Sequence, residues 1–565
     1  MATSHENIIR EILIARGYDT TDKRSAFLDP KYEQYKHDAF LLPDMDKAVK
    51  RLITAHKKKQ QIIIYGDYDI DGLTATTVLL DAFAAFGFKA DAFIPNRFVE
   101  GYGLSKKAVE TISENGADVI VTVDCGSLSF DEIRRANELG VDVIVTDHHT
   151  VADTMPDAVA VINPKRCMNT AASHDVSYKI QDPKSKVYPF LDLAGVGVAF
   201  KLVQALQTKL DGLPDGQEKW LLDLVALGTV CDVVSLIDEN RANVRWGLEV
   251  LKKTRRPGLR ALMAVSRVKP SEVNARSLGF GLGPRLNAAG RLETAQLSLD
   301  LLRETDPGRA LEIAEQLETM NQQRRTEQNR IFLSAAEIAS DVNDPVLIVS
   351  DPSWSHGIIG IVAAKLLEKY HKPTFVLQEL PDGTAKGSAR SYGDFSAVEA
   401  IRATEKHLIK GGGHKLAAGV TLQTKEISNW RLAVNNYYTS LKLSNQLQYL
   451  LPNADITLKG FSECTEQLVG DIARLEPYGH GNPSPVFSIT PVEVIGRRTM
   501  GDSGQHVKYT LADTRDKTFQ VIAFNKADEF TAVIGDMVTI WIELTINEWQ
   551  GRRTVEGQLL RMEAL

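Results

Sequence analysis

Two rhythms of apolar and polar positions run along the chain. Between residues 61 and 150, short apolar, β-rich runs alternate with helical patterns. QIIIY (61–65) is a predicted strand and LTATTVLLDAFAAF (73–86) a helix. ADVIVTV (117–123) and VDVIVT (141–146) are buried strands with the helix DEIRRANEL (131–139) between them. Strands alternating with helices predict a parallel sheet covered on both faces, and such sheets bind ligands at the carboxyl ends of their strands. Residues 193–265 read as mainly helical, and 307–340 as one long charged helix joining two lobes. A second α/β pattern begins at VLIVS (346–350) and continues through IIGIVAAKLLEKY, PTFVLQ and GTAKGSARS. From about 453 the rhythm shortens to about five alternating strands between turn residues, which predicts a small barrel. The expected organisation is an N-terminal segment (1–50), an α/β domain (51–305), a connecting helix (306–340), a second α/β domain (341–450) and a β-barrel (451–565).

Composition changes this picture little. The chain of 565 residues is 43% hydrophobic and 25% charged, as ordinary globular proteins are. A net charge of −7 argues against a surface that coats nucleic acid everywhere, but leaves room for a local basic groove. The four cysteines, Cys125, Cys167, Cys231 and Cys464, have neither metal-ligand nor redox spacing, which fits a reducing compartment. The N-terminus is too polar for a signal peptide, and no apolar run approaches the roughly 18 residues of a membrane span. A cytoplasmic protein is expected.

Candidate chemistry gathers in four segments read as following strands: YGDYDIDG (65–72) with Asp67, Asp69 and Asp71; VTVDCG (121–126) with Asp124; VTDHH (145–149) with Asp147, His148 and His149; and ALGTVCDVV (226–234) with Asp232. Carboxylates crowded at one sheet edge repel one another and resist desolvation, and a bound cation relieves both costs. An oxygen-rich set with imidazoles and no thiolate favours Mg²⁺ or Mn²⁺ over zinc. The groups outnumber the needs of one ion, so two ions sharing Asp124 are expected, an arrangement suited to phosphoryl hydrolysis.

These four segments, in order, resemble the motifs of the DHH phosphoesterase superfamily. SWSHGIIGIVAAKL (353–366), GSARS (387–391) and GGGHKLAAG (411–419) resemble its DHHA1-type partner domain. IPNRFVEGYGLS (94–105) and GFGLGPRLNAAGR (279–291) resemble the RecJ family of single-strand-specific 5′→3′ exonucleases, which also carries a C-terminal barrel of the oligonucleotide-binding (OB) type. The resemblance implies that Asp69, Asp71, Asp124, His148 and Asp232 ligate the metals, and that Asp67 is a further ligand or supports one. It implies that Asp147 and His149 orient ligands or contact the scissile phosphate. Many superfamily members have His where this chain has Tyr65, so one imidazole is missing there. The implied activity is release of 5′-mononucleotides from single-stranded DNA in repair and recombination. Single-strand-binding protein and a repair helicase are the implied partners. The alternative on the same scaffold is a short-oligonucleotide or cyclic-dinucleotide phosphodiesterase. A monomer is expected of a chain that encloses its own channel.

Other residues are candidates for handling the strand. Arg97 follows the predicted strand DAFIP, and its planar fork suits a phosphate. Ser388 and Arg390 offer a second hydroxyl–guanidinium pair, and the resemblance implies that the three hold a 5′-terminal phosphate. Tyr102, between glycines, is placed to stack on a base or to block a duplex. His414 in GGGH is expected to contact the scissile phosphate. Arg285, Asn287 and Arg291 are expected to line a channel between the lobes. Trp541, Trp549, Arg552 and Arg553 are candidates for a strand-binding platform on the barrel.

Overall fold

The computed structural model describes residues 4–97, 103–170, 187–444 and 446–565. In the first lobe β1 (Gln61–Gly66), β2 (Lys89–Phe93), β3 (Val119–Val123), β4 (Asp142–Thr146) and β5 (Ala160–Ile162) form a parallel sheet in the order β2-β1-β3-β4-β5. β3 is apolar but for Thr122 and fully buried, as a strand covered on both faces must be. Register then fixes the sheet edge: Gly66 lies opposite Val123, and Val123 opposite Thr146. The next residues on the three strands are Asp67, Asp124 and Asp147.

The helix Ile70–Phe86 starts where the Asp69 side chain accepts from the backbone N–H groups of Asp71 and Gly72, and it stops at Gly87, whose φ of +82° is left-handed. It is buried on nearly every face, against the helices Gly195–Gln207 and Leu222–Cys231. One expectation is corrected here. Asp232 does not follow a strand but caps the C-terminus of the helix Leu222–Cys231. A helix buried on all sides shows no apolar stripe, so its sequence reads like a buried strand.

The connecting helix runs from Pro307 to Ser340, with Asp306 accepting from Arg309 N at its start. Its first half places Ile313, Ala314 and Leu317 in the core of the first lobe, and its second half places Ile331, Ala335 and Ala339 in that of the second. The second lobe is a mixed sheet of β6 (Leu347–Asp351), β7 (Thr374–Glu379), β8 (Thr384–Arg390), β9 (Leu408–Gly413) and β10 (Ala417–Gln423), in the order β6-β7-β8-β10-β9. The helix Ile359–Tyr370 packs on β7 and β8.

The C-terminal domain comprises β11 (Ile456–Leu458), β12 (Phe487–Met500), β13 (His506–Asp513), β14 (Thr518–Ala523), β15 (Met537–Trp549) and β16 (Arg552–Ala564). The order β12-β13-β14-β16-β15 closes into a five-stranded barrel because β15 also pairs with β12. The N-terminal segment is divided between domains. Ile8, Ile9, Ile12, Leu13 and Phe27, from the helices Ser4–Ala15 and Thr21–Leu28, belong to the barrel's core, whereas Met45, Val49 and Leu52 belong to that of the first lobe. Arg16 ties the junction by donating to Asp455 (3.0 Å) and Asn482 (2.8 Å). Arg241 of the first lobe stacks on the Phe27 ring at 3.7 Å and donates to the carbonyls of Phe27 and Glu476. Among the described residues no helix is long and apolar enough to cross a membrane.

Candidate metal centre and strand-end pocket

The acidic and imidazole groups converge at the sheet edge, with Asp71 and Asp232 brought there by helices. Three sets of ligand atoms come within 4.8 Å of one another: Asp67, Asp69 and Asp124; Asp71, His148 and Asp232; and Asp124, His148 and His149. Asp124 and His148 are each shared by two sets. His148 Nε2 faces Asp124 Oδ1 at 3.0 Å, Asp232 Oδ2 at 3.5 Å and Asp71 Oδ2 at 3.8 Å. Even so, Nε2, Asp124 Oδ1, Asp232 Oδ2 and Asp67 Oδ1 are all buried with no hydrogen bond of acceptable geometry. Buried polar atoms without partners are costly. Lone pairs converging on one space are what a cation requires, so the residues present fit a divalent metal.

Electrostatics agrees. Burial, then the neighbouring Asp69, raises the Asp71 carboxyl to about 7. Burial and like charges also push Asp67, Asp124 and Asp232 well above the usual carboxylate range. His148 is drawn down to about 3 by burial and then by His149, which leaves it neutral, the ligating form. Asp147 is the exception. Burial opposes its charge, but the His149 hydrogen bond and charge prevail and hold it well below that range.

The supporting contacts explain how the set is aimed. Asp71 accepts from Gly195 N (2.6 Å) and Val196 N (2.8 Å) at the start of the helix Gly195–Gln207. Asp147 accepts from His148 N (2.7 Å), His149 N (3.0 Å), Ser127 N (2.9 Å) and the His149 ring (2.8 Å). All its bonds point into the protein, so it orients the two histidines. Asn163 donates to Ser127 Oγ and to the His149 carbonyl, both at 2.9 Å. Asp124 (φ 60°) and Val233 (φ 62°), on and beside the ligand set, hold left-handed backbone that non-glycine residues seldom adopt. A Cβ on Gly195 would fall 2.8 Å from Asp124 Oδ1, so only glycine leaves that carboxylate its place.

Tyr65, at the position of the missing imidazole, points elsewhere: its hydroxyl donates to the Gly103 carbonyl (2.9 Å) and its ring stacks on Phe93. His149 brings a second imidazole within reach of the cluster, with its Nδ1 bonded to Asp147. Cys125 is buried and Cys231 half-buried. Lys165 escaped the sequence reading. It follows β5 and bears electrostatically on His148, His149, His414 and Asp232. A lone Lys has no patterned signal, and only the topology places it.

A second cluster adjoins the first. Arg97 lies over the Tyr68 ring at 4.1 Å and bears on Asp67. Arg390 donates to Ser388 Oγ (3.3 Å) and to the Ala389 carbonyl (2.7 Å). Gly360, in the first turn of the helix Ile359–Tyr370, leaves room for both: a Cβ there would lie 2.9 Å from Ser388 Oγ and 3.3 Å from Arg390 Nη2. Arg291 donates to the Gly357 carbonyl (3.2 Å) and senses Arg97 and Arg390, so it belongs to this pocket. Arg285 is held elsewhere, by Glu318 of the connecting helix at 2.5 Å. Asn287 is partly exposed on the same helix as Arg285. His414 is exposed and near enough to His149 for mutual charge effects, with Gly413 before it at φ 141°. Tyr102 lies outside the described residues. On the barrel, Trp541 is half-buried under the Arg561 guanidinium (4.3 Å) and Arg553 pairs with Glu466 at 3.7 Å.

A parallel sheet whose strand ends converge buried aspartates and a neutral histidine on shared points, faced by a mixed-sheet lobe, defines a metal-dependent phosphoesterase of the DHH class. Family models agree: the DHH family N-terminal domain matches residues 61–229, the DHHA1 domain 343–439 and the RecJ OB domain 454–560. The single-stranded-DNA-specific exonuclease RecJ of Salmonella typhimurium is 34% identical over 91% of this chain and 89% of its own length. That of Bacillus subtilis is 34% identical over 97% of this chain, which spans 66% of that relative. Thermus thermophilus RecJ in complex with Mn²⁺ superposes with a TM-score of 0.80 at 30% identity, covering 98% of this chain and 76% of that one. Its Mg²⁺ complex gives 0.75 at 28%, covering 98% and 74%. The chain belongs to the RecJ family of exonucleases.

Proposed function

We propose that the protein removes 5′-mononucleotides from single-stranded DNA in the 5′→3′ direction, in the cytoplasm and as a monomer, during repair and recombination. Single-strand-binding protein and a helicase would be its working partners. The observation that carries this reading is the adjacency of two clusters: a cation-hungry carboxylate–histidine set and, beside it, a pocket of Arg97, Ser388 and Arg390. A terminal phosphate has more oxygens to offer than a phosphodiester within the strand, so the pocket selects an end. A strand end held there sets its first phosphodiester over the carboxylates.

Asp69, Asp71, Asp124, His148 and Asp232, with Asp67, would hold two divalent ions. Such ions, when bound, activate water and neutralise charge developing on phosphorus. The remaining work falls to the chain itself. Arg97, Ser388 and Arg390 fix the strand's position, which supplies orientation. Asp147 holds the two histidines, and His414 and Lys165 contact the scissile phosphate. Water attacks phosphorus, the bond to the 3′ oxygen breaks, and that oxygen leaves with a proton. The phosphate stays on the shortened strand, which again ends in a 5′-phosphate.

The deciding experiment compares 5′-labelled and 3′-labelled single strands, with duplex controls, in Mn²⁺, Mg²⁺ and EDTA. Immediate release of labelled mononucleotide from the 5′-labelled strand alone, abolished by EDTA, is expected. Intact long strands together with rapid cleavage of dinucleotides would overturn the substrate. Arg390→Ala is expected to erase the preference for a 5′-phosphorylated end, and an unchanged preference would remove Arg390 from the pocket.

A further inference from the structure

The strand-end pocket and the metal centre meet at one side chain. Tyr68 lies between Asp67 and Asp69, both members of the cation-seeking set. Its ring carries the Arg97 guanidinium, whose central carbon is 4.1 Å from the ring centroid. Arg97 arrives from the neighbouring strand. β2 ends at Phe93, which pairs in register with Tyr65 and stacks on its ring at 5.4 Å and 12°. Three residues beyond Tyr65, Tyr68 meets Arg97, four residues beyond Phe93. Two aromatic contacts thus lay the segment that follows β2 along the exit of β1. Tyr68 itself has little freedom. Asp67 on one side is buried, and Asp69 on the other caps the helix Ile70–Phe86. Gly290 closes on the Tyr68 carbonyl, from which a Cβ there would lie 3.1 Å, and the Tyr68 side chain packs against the core of the first lobe. A guanidinium resting on this ring is therefore placed relative to Asp67 and Asp69.

An aromatic face suits this task better than a carboxylate does. It attracts a cation through its quadrupole and takes none of the N–H donors, whereas a carboxylate can engage two of them at once. Arg97 Nε is buried with no hydrogen-bond partner among the described residues, so donor capacity is left for phosphate oxygens. Asp67 also attracts Arg97. Metal ions held by the carboxylates would compete for that charge, while the attraction of the neutral ring persists.

We propose that Tyr68 is a positioning residue of the strand-end pocket: by carrying Arg97 beside the metal ligands, its ring gives the pocket its grip on a 5′-phosphate. This rests on the pocket being the 5′-end site. Tyr68 touches neither the scissile bond nor the phosphate and acts through Arg97 alone. Its removal therefore alters the choice between strand ends, and strands without a terminal phosphate are handled as before.

Strands of one sequence ending in 5′-phosphate or 5′-hydroxyl are compared on the full chain, by Kd in EDTA, where nothing is cut, and by kcat and KM in Mn²⁺. Tyr68→Leu is expected to reduce the preference for the phosphate end, read as the ratio of the two Kd values, by about three- to thirty-fold. KM for the phosphate strand should rise by a similar factor and kcat should move less. KM for the hydroxyl strand and the Mn²⁺ affinity of the free protein should stay within two-fold. Tyr68→Phe keeps the ring and should keep the preference. Arg97→Ala should abolish it, and adding Tyr68→Leu to Arg97→Ala should change it no further. If Tyr68→Leu melts too low to assay, Tyr68→Met, which also lacks a ring, is read in its place. A ring-less variant that keeps the full preference overturns the proposal. So do losses that fall equally on both strands, or a collapse of Mn²⁺ affinity, which would assign Tyr68 to packing or to the metal centre. A parent protein that binds both ends alike removes the 5′-end reading itself, and this proposal with it.

Discussion

At the scale of single residues, the centre depends on contacts that keep the ligands apart and aimed. Gly195 has two duties, donating its N–H to Asp71 and leaving the space that Asp124 fills. Gly195→Ala is expected to lower kcat about 100-fold, since small misplacements at a reacting centre have large effects; the fold should survive, so kcat is read beside a thermal melt. Activity within two-fold of the parent would show that Asp124 tolerates displacement. Asp147 acts one step further out. Asp147→Asn keeps the shape but loses the charge that holds the His149 ring, so metal affinity should fall about 10- to 100-fold, measured by titration calorimetry with Mn²⁺. Unchanged affinity would assign Asp147 a role in packing alone.

At the scale of elements, much was legible because local pattern and local structure coincide. Three buried apolar runs, each ended by Asp, specify a sheet edge whose register then aligns Asp67, Asp124 and Asp147. Pro307 after Asp306 marks the start of the connecting helix. Where the pattern has no period, as in the buried helix before Asp232, the short run taken alone reads as a buried strand, although the wider stretch 193–265 reads as mainly helical. Where the partner is remote in sequence, periodicity shows which face is apolar but not what covers it. The N-terminal helices illustrate this, since Ile12 is buried in a barrel core whose strands begin only at Ile456. Ile12→Ala is expected to destabilise the barrel by about 2–5 kcal/mol, seen as faster amide exchange in β12 and β15. If exchange quickened only in the first lobe, the assignment of this helix to the barrel would be wrong. Arg291, expected to line a channel between the lobes, neighbours Arg97 of the first lobe and Arg390 of the second, a meeting that helix phase decides and sequence alone does not fix.

At the scale of the whole molecule, the centre stores unfavourable electrostatics that a metal relieves. The raised carboxyls of Asp67, Asp71, Asp124 and Asp232 make the metal-free folded state bind more protons than the unfolded chain. Their contribution to stability is full below about pH 4 and is lost as pH rises through the Asp71 value of about 7. Asp147, shifted the other way, acts only below that window. His148, drawn down to about 3, opposes the carboxyls up to about pH 6.5, whereas the raised His149 acts with them; the four carboxyls outweigh the one imidazole. The Tm in EDTA should therefore fall from pH 5 to pH 8, and saturating Mn²⁺ should raise it most at the upper end. A flat or rising Tm in EDTA would contradict the crowding described. The N-terminal helices seated in the barrel have a consequence on the same scale. They fasten the barrel to the first lobe through Arg16 and Arg241, while the connecting helix joins the first lobe to the second and the chain runs on from there to the barrel. The path closes on itself like a buckled strap. A polymer lying within such a loop is threaded by its end, as a needle is. A covalently closed circle of single-stranded DNA has no end to offer, and it should stay whole under conditions in which its once-nicked form is consumed completely.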